Sequence, residues 1–503
     1  MTLPSLSQRL ALVGAIVVAL FAVASPARAA QFTSIAPGLN HTCAVKADNT
    51  AWCWGEGRQG QVGVIGAQRP RTPVYVIGSY QTKVISSSQT YWCGLLLDAT
   101  VSCTGRGAEG QLGYGSTVAA QFPQEVALPN VTKVATGVVT ACAIHDAGLV
   151  SCWGDGSRGQ LGDGQLRQTP TPSPVAVPGL SGIVDIDVGD SHVCAVRNDG
   201  RVLCWGDTAD GKLGDGSTAA ITIPKTTVTG LTNVATIAVG DRHSCAMKRD
   251  GSVWCWGNNT NGQLGLGTSE PDGVSNGQVV KTSRHDRPEQ VPALLDAVQI
   301  DATGLTSCAV KRGGTAVCWG DGTSGQIGNG VRGNALSPQP VSGITDAKQL
   351  GIGSQHACLV TKTNAPFCWG RNLSGQLGSG EPYSHVALRP ELVQDFILGP
   401  ASFLPASVAG LPAGSTAGGV LQFKALQISR RSGTRCPKRA SLRVSARGKT
   451  SVKRVTIIRV NNGCGLTGRY TLPKSSQNAT KASYRISGDN LRTKSDSLRP
   501  RQK

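Results

Sequence analysis

Seven pairs of cysteines, each pair ten residues apart, constrain the fold of this chain more than any other sequence feature. The first cysteines of successive pairs are separated by 50, 49, 52, 51, 63 and 50 residues. A period near fifty, carried by short apolar runs and glycine turns, is typical of β-propellers and solenoids. The seven pairs are Cys43–Cys53, Cys93–Cys103, Cys142–Cys152, Cys194–Cys204, Cys245–Cys255, Cys308–Cys318 and Cys358–Cys368.

The spacing within each pair predicts a β-hairpin with the two cysteines opposite each other. Residues ten apart face across an antiparallel ladder when a three-residue loop joins the strands, and such loops favour a left-handed conformation at their last position. The residues there are Asn49, Ala99, Gly148, Gly200, Gly251, Gly314 and Asn364, and all except Ala99 are types that tolerate positive φ. We therefore expect one disulfide per hairpin. The alternative, metal ligation, would favour Cys-x-x-Cys or recurring histidine pairs, which the sequence lacks.

Two further motifs follow the second cysteine of each copy. Trp-Gly comes directly after it in six copies, with Thr104 replacing tryptophan in the second, and a turn of the type Gly-Gln-Leu-Gly comes next. This pattern resembles the repeat of the regulator of chromosome condensation family. The resemblance implies an all-β, seven-bladed β-propeller over residues 30–395, with about one repeat per blade and intra-blade hairpin disulfides. A shared fold does not imply a shared activity.

The N-terminal segment indicates export. Residues 1–29 have the composition of a signal peptide, with Arg9 ahead of a fifteen-residue apolar run and the small residues Ala27 and Ala29 flanking Arg28. The run is short for a membrane span, although a retained N-terminal anchor is the alternative. The sixteen cysteines, an even number, also favour an oxidising compartment. We expect a secreted or cell-envelope protein without a transmembrane span after cleavage.

The net positive charge of the chain lies entirely in its C-terminal part. Residues 424–503 contain 21 Lys or Arg and two acids, which accounts for the net charge of +19 of the whole chain. We predict a linker at 396–426, a small basic β module at 427–490 held by a Cys436–Cys464 disulfide, and a disordered tail at 491–503. Such a module favours an anionic envelope polymer. A nucleic-acid partner is not expected, because few aromatic side chains are available for base stacking.

Repeated residues are expected to build blades. His41, His192, His243 and His356 precede the first cysteine by two residues. They could form a ring that binds metal or titrates, but a repeated position favours hydrogen bonds between blades or within a turn. The repeated tryptophans are predicted to pack between blades, and Asp155, Asp207 and Asp321 to cap turns. Partner contacts are predicted where the repeats differ. The candidates are Tyr114 and the polar cluster Arg284, His285, Asp286 and Arg287, in a fifth copy that is about 12 residues longer than its neighbours.

No catalytic constellation, metal site or cofactor motif stands out in the sequence. We therefore expect a monomeric, non-enzymatic propeller that binds a protein or cell-surface ligand, with the basic tail retaining it at the envelope. One alternative is guanine-nucleotide exchange on a small GTPase, the best-known activity of the family. An envelope-directed enzyme or a secreted enzyme inhibitor is the other.

Overall fold

A computed structural model describes residues 31–64, 68–216, 220–224, 227–269, 273–275, 278–280 and 283–394, together with the backbone of six strands between 420 and 498. The chain divides into two compact units, residues 1–395 and 396–503. The predicted signal peptide, residues 1–29, and Cys436 of the predicted C-terminal disulfide lie outside the described residues.

Seven antiparallel sheets of three or four strands each, with their strands in chain order, form the blades of the first unit. Blade 1 contains β1 (Phe32–Pro37), β2 (His41–Lys46), β3 (Ala51–Gly55) and β4 (Val74–Tyr75), and blade 2 contains β5 (Thr82–Ser87), β6 (Tyr91–Leu96), β7 (Val101–Gly105) and β8 (Ala120–Val126). Blade 3 contains β9 (Val131–Thr136), β10 (Thr140–His145), β11 (Leu149–Gly156) and β12 (Arg167–Ala176), and blade 4 contains β13 (Ile183–Val188), β14 (His192–Arg197) and β15 (Val202–Gly206). Isolated bridges from β15 to Ile221 and Thr227 stand where the other blades have a fourth strand.

The remaining three blades follow the same plan. Blade 5 contains β16 (Val234–Val239), β17 (His243–Lys248), β18 (Val253–Asn258) and β21 (Arg284–Gln290), with an inserted hairpin of β19 (Gly273–Ser275) and β20 (Gln278–Val280). Blade 6 contains β22 (Ala297–Thr303), β23 (Thr306–Lys311), β24 (Ala316–Gly320) and β25 (Ala335–Pro340), and blade 7 contains β26 (Ala347–Ile352), β27 (His356–Thr361), β28 (Pro366–Arg371) and β29 (Val386–Leu392).

The predicted hairpins and disulfides are confirmed in all seven blades. Each cysteine of the second strand pairs in register with the cysteine ten residues later, and all seven pairs are bonded, with Cα atoms 4.0–4.1 Å apart. All fourteen side chains are buried. The last loop residue has positive φ in every hairpin, including Ala99 at 65°. The loop geometry therefore overrides the side-chain preference at Ala99.

The first strands of the seven sheets form a closed inner ring. Each contacts the first strand of the next blade, and β26 of blade 7 contacts β1 of blade 1. Gln349 closes the ring: its Oε1 accepts from the Ile35 N–H at 2.8 Å, and its Nε2 donates to the Ile35 carbonyl at 2.9 Å. This arrangement is the seven-bladed β-propeller that the repeats predict.

The second unit contains one six-stranded sheet. Its strands are β30 (Val420–Ile428), β31 (Arg439–Ala446), β32 (Lys449–Val460), β33 (Gly463–Thr471), β34 (Ala482–Ser487) and β35 (Lys494–Leu498), in the spatial order β30-β33-β32-β31-β34-β35. Strand β30 begins within the predicted linker, and β35 lies within the predicted disordered tail. The all-β character of this basic segment agrees with the predicted fold class.

Candidate binding site

One tryptophan per blade holds that blade to the preceding one. Its indole N–H donates to the backbone carbonyl of the second residue of the preceding blade's Gly-Gln-Leu-Gly-type turn, at 2.8–3.0 Å. All seven tryptophans are buried, namely Trp54, Trp92, Trp153, Trp205, Trp256, Trp319 and Trp369. These side chains are interior groups that satisfy backbone acceptors. They do not form a ligand-stacking surface.

Blade 2 makes this contact with a residue that the repeat pattern does not predict. Thr104 occupies the usual tryptophan position, and Trp92, directly opposite it on the neighbouring strand, supplies the indole instead. Gly94, where five of the other six blades have alanine, leaves space for the ring: a Cβ there would lie 3.2 Å from Trp92 Cζ3. In blade 2 the indole therefore comes from the second strand of the sheet instead of the third, and the hydrogen bond to the preceding blade is kept.

The four repeated histidines also join neighbouring blades. Their Nε2 atoms lie 2.7–3.0 Å from a hydroxyl of the next blade, in the pairs His41–Ser87, His192–Ser244, His243–Ser307 and His356–Thr42. Burial lowers the pKa of His41, His243 and His356 to about 3 and that of His192 well below its usual value. These histidines are neutral near pH 7, so they act as fixed inter-blade contacts.

The position after Trp-Gly stabilises the following turn. Asp155 accepts from the Ser157 N–H at 3.3 Å and from the Gln160 amide at 2.8 Å. Equivalent pairs of bonds are made by Asp207, Asn258 and Asp321. The predicted turn-capping role of Asp155, Asp207 and Asp321 agrees with this geometry. In blade 1 Glu56 keeps the first of these bonds, accepting from the Arg58 N–H at 3.3 Å, whereas blades 2 and 7 have Arg106 and Arg371 at this position.

Side chains of the inner ring satisfy backbone groups that face the channel. The first strand of a sheet has no partner strand on its channel side, so its N–H groups need other acceptors. Asp185, Asp187 and Asp301 supply them by accepting from the next blade at Ile237, Val239 and Ile352, at 2.9, 2.7 and 2.8 Å. These carboxylates are therefore part of the blade-to-blade packing.

The inner-ring carboxylates share one cation. Lys133 bonds Asp185, and although burial opposes its charge, the carboxylates of Asp185, Asp187 and Asp301 outweigh burial and raise the Lys133 pKa. Burial raises the pKa of Asp187 to about 7, with Asp301 adding to the rise and Lys133 opposing it. Burial likewise raises the pKa of Asp301 to about 6.

We expect Asp187→Asn to gain stability relative to the native chain as pH rises from 5 to 8. When a carboxyl has a higher pKa in the folded state than in the unfolded state, the free energy of unfolding of the protein decreases with rising pH, here between about pH 4 and about pH 7. Asparagine keeps an oxygen for the Val239 N–H and cannot ionise. Guanidinium unfolding at pH 5 and pH 8 measures the difference. Asp199→Asn is the control, because Arg197 lowers the Asp199 pKa to about 2. An equal Asp187→Asn effect at both pH values would contradict the assignment.

The predicted partner-binding residues occupy two separate places. Arg284, His285, Asp286 and Arg287 begin β21, the outer strand of blade 5, so this cluster lies in a sheet and not in an irregular loop. His285 Nδ1 lies 2.5 Å from Glu289 Oε1, and Arg287 is exposed. Tyr114 follows the turn of blade 2, where its hydroxyl donates to the Val118 carbonyl at 2.5 Å. Their role in partner binding remains a prediction.

An open pocket of about 650 Å³ lies where blade 7 closes against blade 1. Arg69 lines it on the blade 1 side, with its Nε 2.8 Å from Glu56 Oε2. Arg371 lines it on the blade 7 side and hydrogen-bonds the Gln355 side-chain oxygen. Tyr383 completes the wall, and its hydroxyl donates to the Arg69 carbonyl at 2.8 Å. We refer to this feature as the 7–1 pocket.

The sequence carries one signal for the 7–1 pocket that repeat counting alone misses. Arg371 follows Trp-Gly in blade 7, at the position where four blades have a turn-capping Asp or Asn. An arginine has no acceptor atom, so it cannot accept the hydrogen bonds that cap those turns. The turn of blade 7 keeps the bond made by the turn glutamine in five other blades, since the Gln376 oxygen accepts from the Ser374 N–H at 2.8 Å. With no Asp or Asn at position 371, the Gln376 amide lies 3.5 Å from the Asn40 side-chain oxygen of blade 1. The Arg371 side chain therefore does not cap its turn, and it lines the 7–1 pocket.

No helix in the described part of the chain has the length and apolar character needed to cross a membrane. Among the same residues, no three His, Cys, Asp or Glu side chains are grouped so as to hold a metal ion.

The fold and its repeated contacts define a seven-bladed propeller of repeats, and sequence comparison assigns its family. The RCC1-like domain matches residues 19–284, and the Regulator of chromosome condensation (RCC1) repeat matches residues 347–376. The first match covers more than half of the chain, so the chain belongs to the RCC1-like domain family. This confirms the resemblance that the repeats carry.

The relatives found by sequence comparison match only part of this chain, and the chain spans only part of their length. Human HERC6, a probable E3 ubiquitin-protein ligase, is 34% identical over 150 residues, which are 29% of this chain and 14% of HERC6. Protein pim1 of Schizosaccharomyces pombe is 29% identical over 162 residues, covering 30% of this chain and 29% of pim1. The matched region is thus about a seventh of HERC6 and under a third of pim1.

Solved structures share the propeller fold. Yeast RCC1 (Prp20), solved bound to Kap60, is 22% identical, with a TM-score of 0.57 over 64% of this chain and 78% of that chain. Human WBSCR16 is 20% identical, with a TM-score of 0.59 over 69% of this chain and 94% of that chain. Identities this low show a common fold only.

Proposed function

We propose that this chain is an exported, non-enzymatic propeller that binds a protein or cell-surface ligand through surfaces that depart from the repeat. The observation that carries the proposal is one buried disulfide in each of seven blades. Disulfides form and persist in oxidising compartments and are rare where thiols are kept reduced. The signal-like composition of residues 1–29 supports the same address.

A binding role is supported by how the side chains are used. The cysteines, tryptophans, histidines and capping aspartates that recur in the blades are engaged in packing and inter-blade hydrogen bonds. The 7–1 pocket, by contrast, joins arginine, tyrosine and leucine side chains at a non-repeating place. Arginine and tyrosine are enriched at the residues that dominate protein interfaces. The yeast relative Prp20 was solved bound to Kap60, so one protein that contains this fold binds another protein.

The basic C-terminal unit is proposed to hold the protein at the cell envelope. Its 21 Lys or Arg residues against two acids would attract an anionic envelope polymer over distances set by the ionic strength. Guanine-nucleotide exchange is disfavoured, because its GTPase partner is intracellular whereas seven disulfides favour an oxidising compartment.

Fractionation of the expressing cells tests this proposal. We expect the full chain in the envelope fraction, releasable by about 0.5 M salt because salt screens the attraction, and a chain lacking residues 424–503 in the medium. A chain ending at Leu498 is the matched control: of the 21 basic residues it loses only Arg499, Arg501 and Lys503, and it should stay with the envelope. An unchanged distribution after the long deletion would contradict retention by the tail. A cytosolic full chain would contradict export.

A further inference from the structure

Arg371 offers the 7–1 pocket a positive charge that no carboxylate neutralises within the described part of the chain. Its guanidinium has one side-chain partner, the neutral oxygen of Gln355. Other arginines near blade turns have acidic partners: Arg69 pairs with Glu56, Arg106 with Glu109 and Arg242 with Asp210. A guanidinium has five N–H donors in a planar fork that fits a carboxylate. Most of this donor capacity remains available at Arg371.

The charges around the pocket add to this attraction. Two arginines, Arg69 and Arg371, line it against one glutamate, Glu56, for a net charge of +1. Glu56 is committed to Arg69 and Arg58, at 2.8 and 3.6 Å. A carboxylate entering the pocket would therefore meet an electropositive wall on the Arg371 side.

Apolar surface lies beside this charge. Leu373 and Tyr383 are both 40% exposed. The Arg71 guanidinium lies 5.5 Å from the centre of the Tyr383 ring, a cation–π contact that orients the ring. Arginine, tyrosine and leucine thus border one concave surface. Its volume of about 650 Å³ suits a few side chains of an extended peptide and is too small for a folded domain.

We propose that the 7–1 pocket binds an acidic peptide segment of a partner protein, with an Asp or Glu carboxylate on Arg371 and a neighbouring apolar side chain on Leu373 and Tyr383. The proposal rests on the proposed binding function and specifies the chemistry of the ligand. Glu56 supports this binding indirectly by holding Arg69, whose carbonyl accepts the Tyr383 hydroxyl.

Selection from a displayed library of random 12-residue peptides on the oxidised full chain tests the proposal. We expect selected peptides to share an Asp or Glu within two positions of a leucine or aromatic residue. Synthetic versions should bind Arg371→Gln at least roughly tenfold more weakly than the native chain, because they lose a charge-assisted hydrogen bond. Arg389→Gln is the matched control, since Arg389 is exposed on β29 of the same blade away from the pocket residues. It should bind normally, and both variants should melt as the native chain does.

Three results would overturn this inference. The first is the absence of any shared acidic pattern among the selected peptides. The second is equal binding to the native chain and Arg371→Gln. The third is Arg371-dependent binding of an oligogalacturonate probe with no binding of peptides, which would make the ligand an anionic carbohydrate. If a partner crosslinked at the cell surface is captured equally by Arg371→Gln, the proposed binding function stands and the pocket assignment falls.

Discussion

Full reduction of the seven propeller disulfides should abolish cooperative folding of residues 31–394. Each bond closes a ten-residue separation, and limiting the freedom of such a loop in the unfolded chain stabilises the fold by about 2–3 kcal/mol. Seven such bonds amount to roughly 15–20 kcal/mol, whereas the net stability of a native protein is about 5–15 kcal/mol. The blades have glycine-rich turns and short strands, so packing without the disulfides contributes little additional free energy of unfolding.

Thermal unfolding followed by tryptophan fluorescence measures this effect. The chain is reduced in denaturant, alkylated and returned to buffer, beside a sample treated identically without reductant. We expect a cooperative transition only in the unreduced sample. The double variant Cys245→Ala/Cys255→Ala, which removes one bond in blade 5, should lose about 2–3 kcal/mol and still fold. A reduced, alkylated chain with a sharp transition near the native temperature would contradict this assignment.

Trp92→Thr should destabilise the propeller as strongly as Trp256→Thr, although only Trp256 occupies the repeated position. Both indoles are buried, and both donate to the turn of the preceding blade. Removing a buried tryptophan costs about 3–5 kcal/mol, because the cavity collapses only in part. Denaturant unfolding of both variants measures the loss.

Returning blade 2 to the repeat pattern should recover most of that stability. In Trp92→Thr/Thr104→Trp, the indole comes from the strand that supplies it in the other six blades. Gly94→Ala is the diagnostic companion, since its added methyl would crowd Trp92 at 3.2 Å in the native chain. It should therefore destabilise the native chain and be tolerated in the exchanged pair. If the exchanged pair is no more stable than Trp92→Thr alone, the two sites are not equivalent.

The hairpins could be predicted from sequence because their determinants are local. A cysteine spacing of ten and a loop residue at Asn49 or Gly251 determine register and turn within about a dozen residues. Ala99 also adopts positive φ, because the ladder on both sides of its loop determines the turn. The packing of the tryptophans between blades followed from their repetition, since a recurring position in a repeat fold contacts the neighbouring repeat. For the histidines, repetition indicated structural hydrogen bonds but did not distinguish bonds between blades from bonds within a turn.

The binding site could not be predicted in the same way. The 7–1 pocket joins loops more than 300 residues apart, such as Glu56 and Arg371, and no local pattern indicates that they meet. The Arg284–Arg287 cluster was predicted to bind a partner because of its charge density. Its place on an outer strand accounts for the same charge, since outer strands are polar because they are solvated on more than one side. The role of Trp92 could not be predicted, because in the sequence Thr104 only interrupts the Trp-Gly pattern. The strand register shows that Trp92 lies directly opposite Thr104.

The oxidation state of the blade cysteines in living cells tests most directly the claim that this is an exported binding propeller. Cells producing the native chain are treated with a membrane-permeant alkylating reagent, and the unreduced protein is analysed by peptide mass spectrometry. We predict that all fourteen propeller cysteines are recovered as linked pairs, such as Cys245–Cys255, in chains that begin near residue 30. Alkylated blade cysteines in cytosolic chains that retain residues 1–29 would contradict the account.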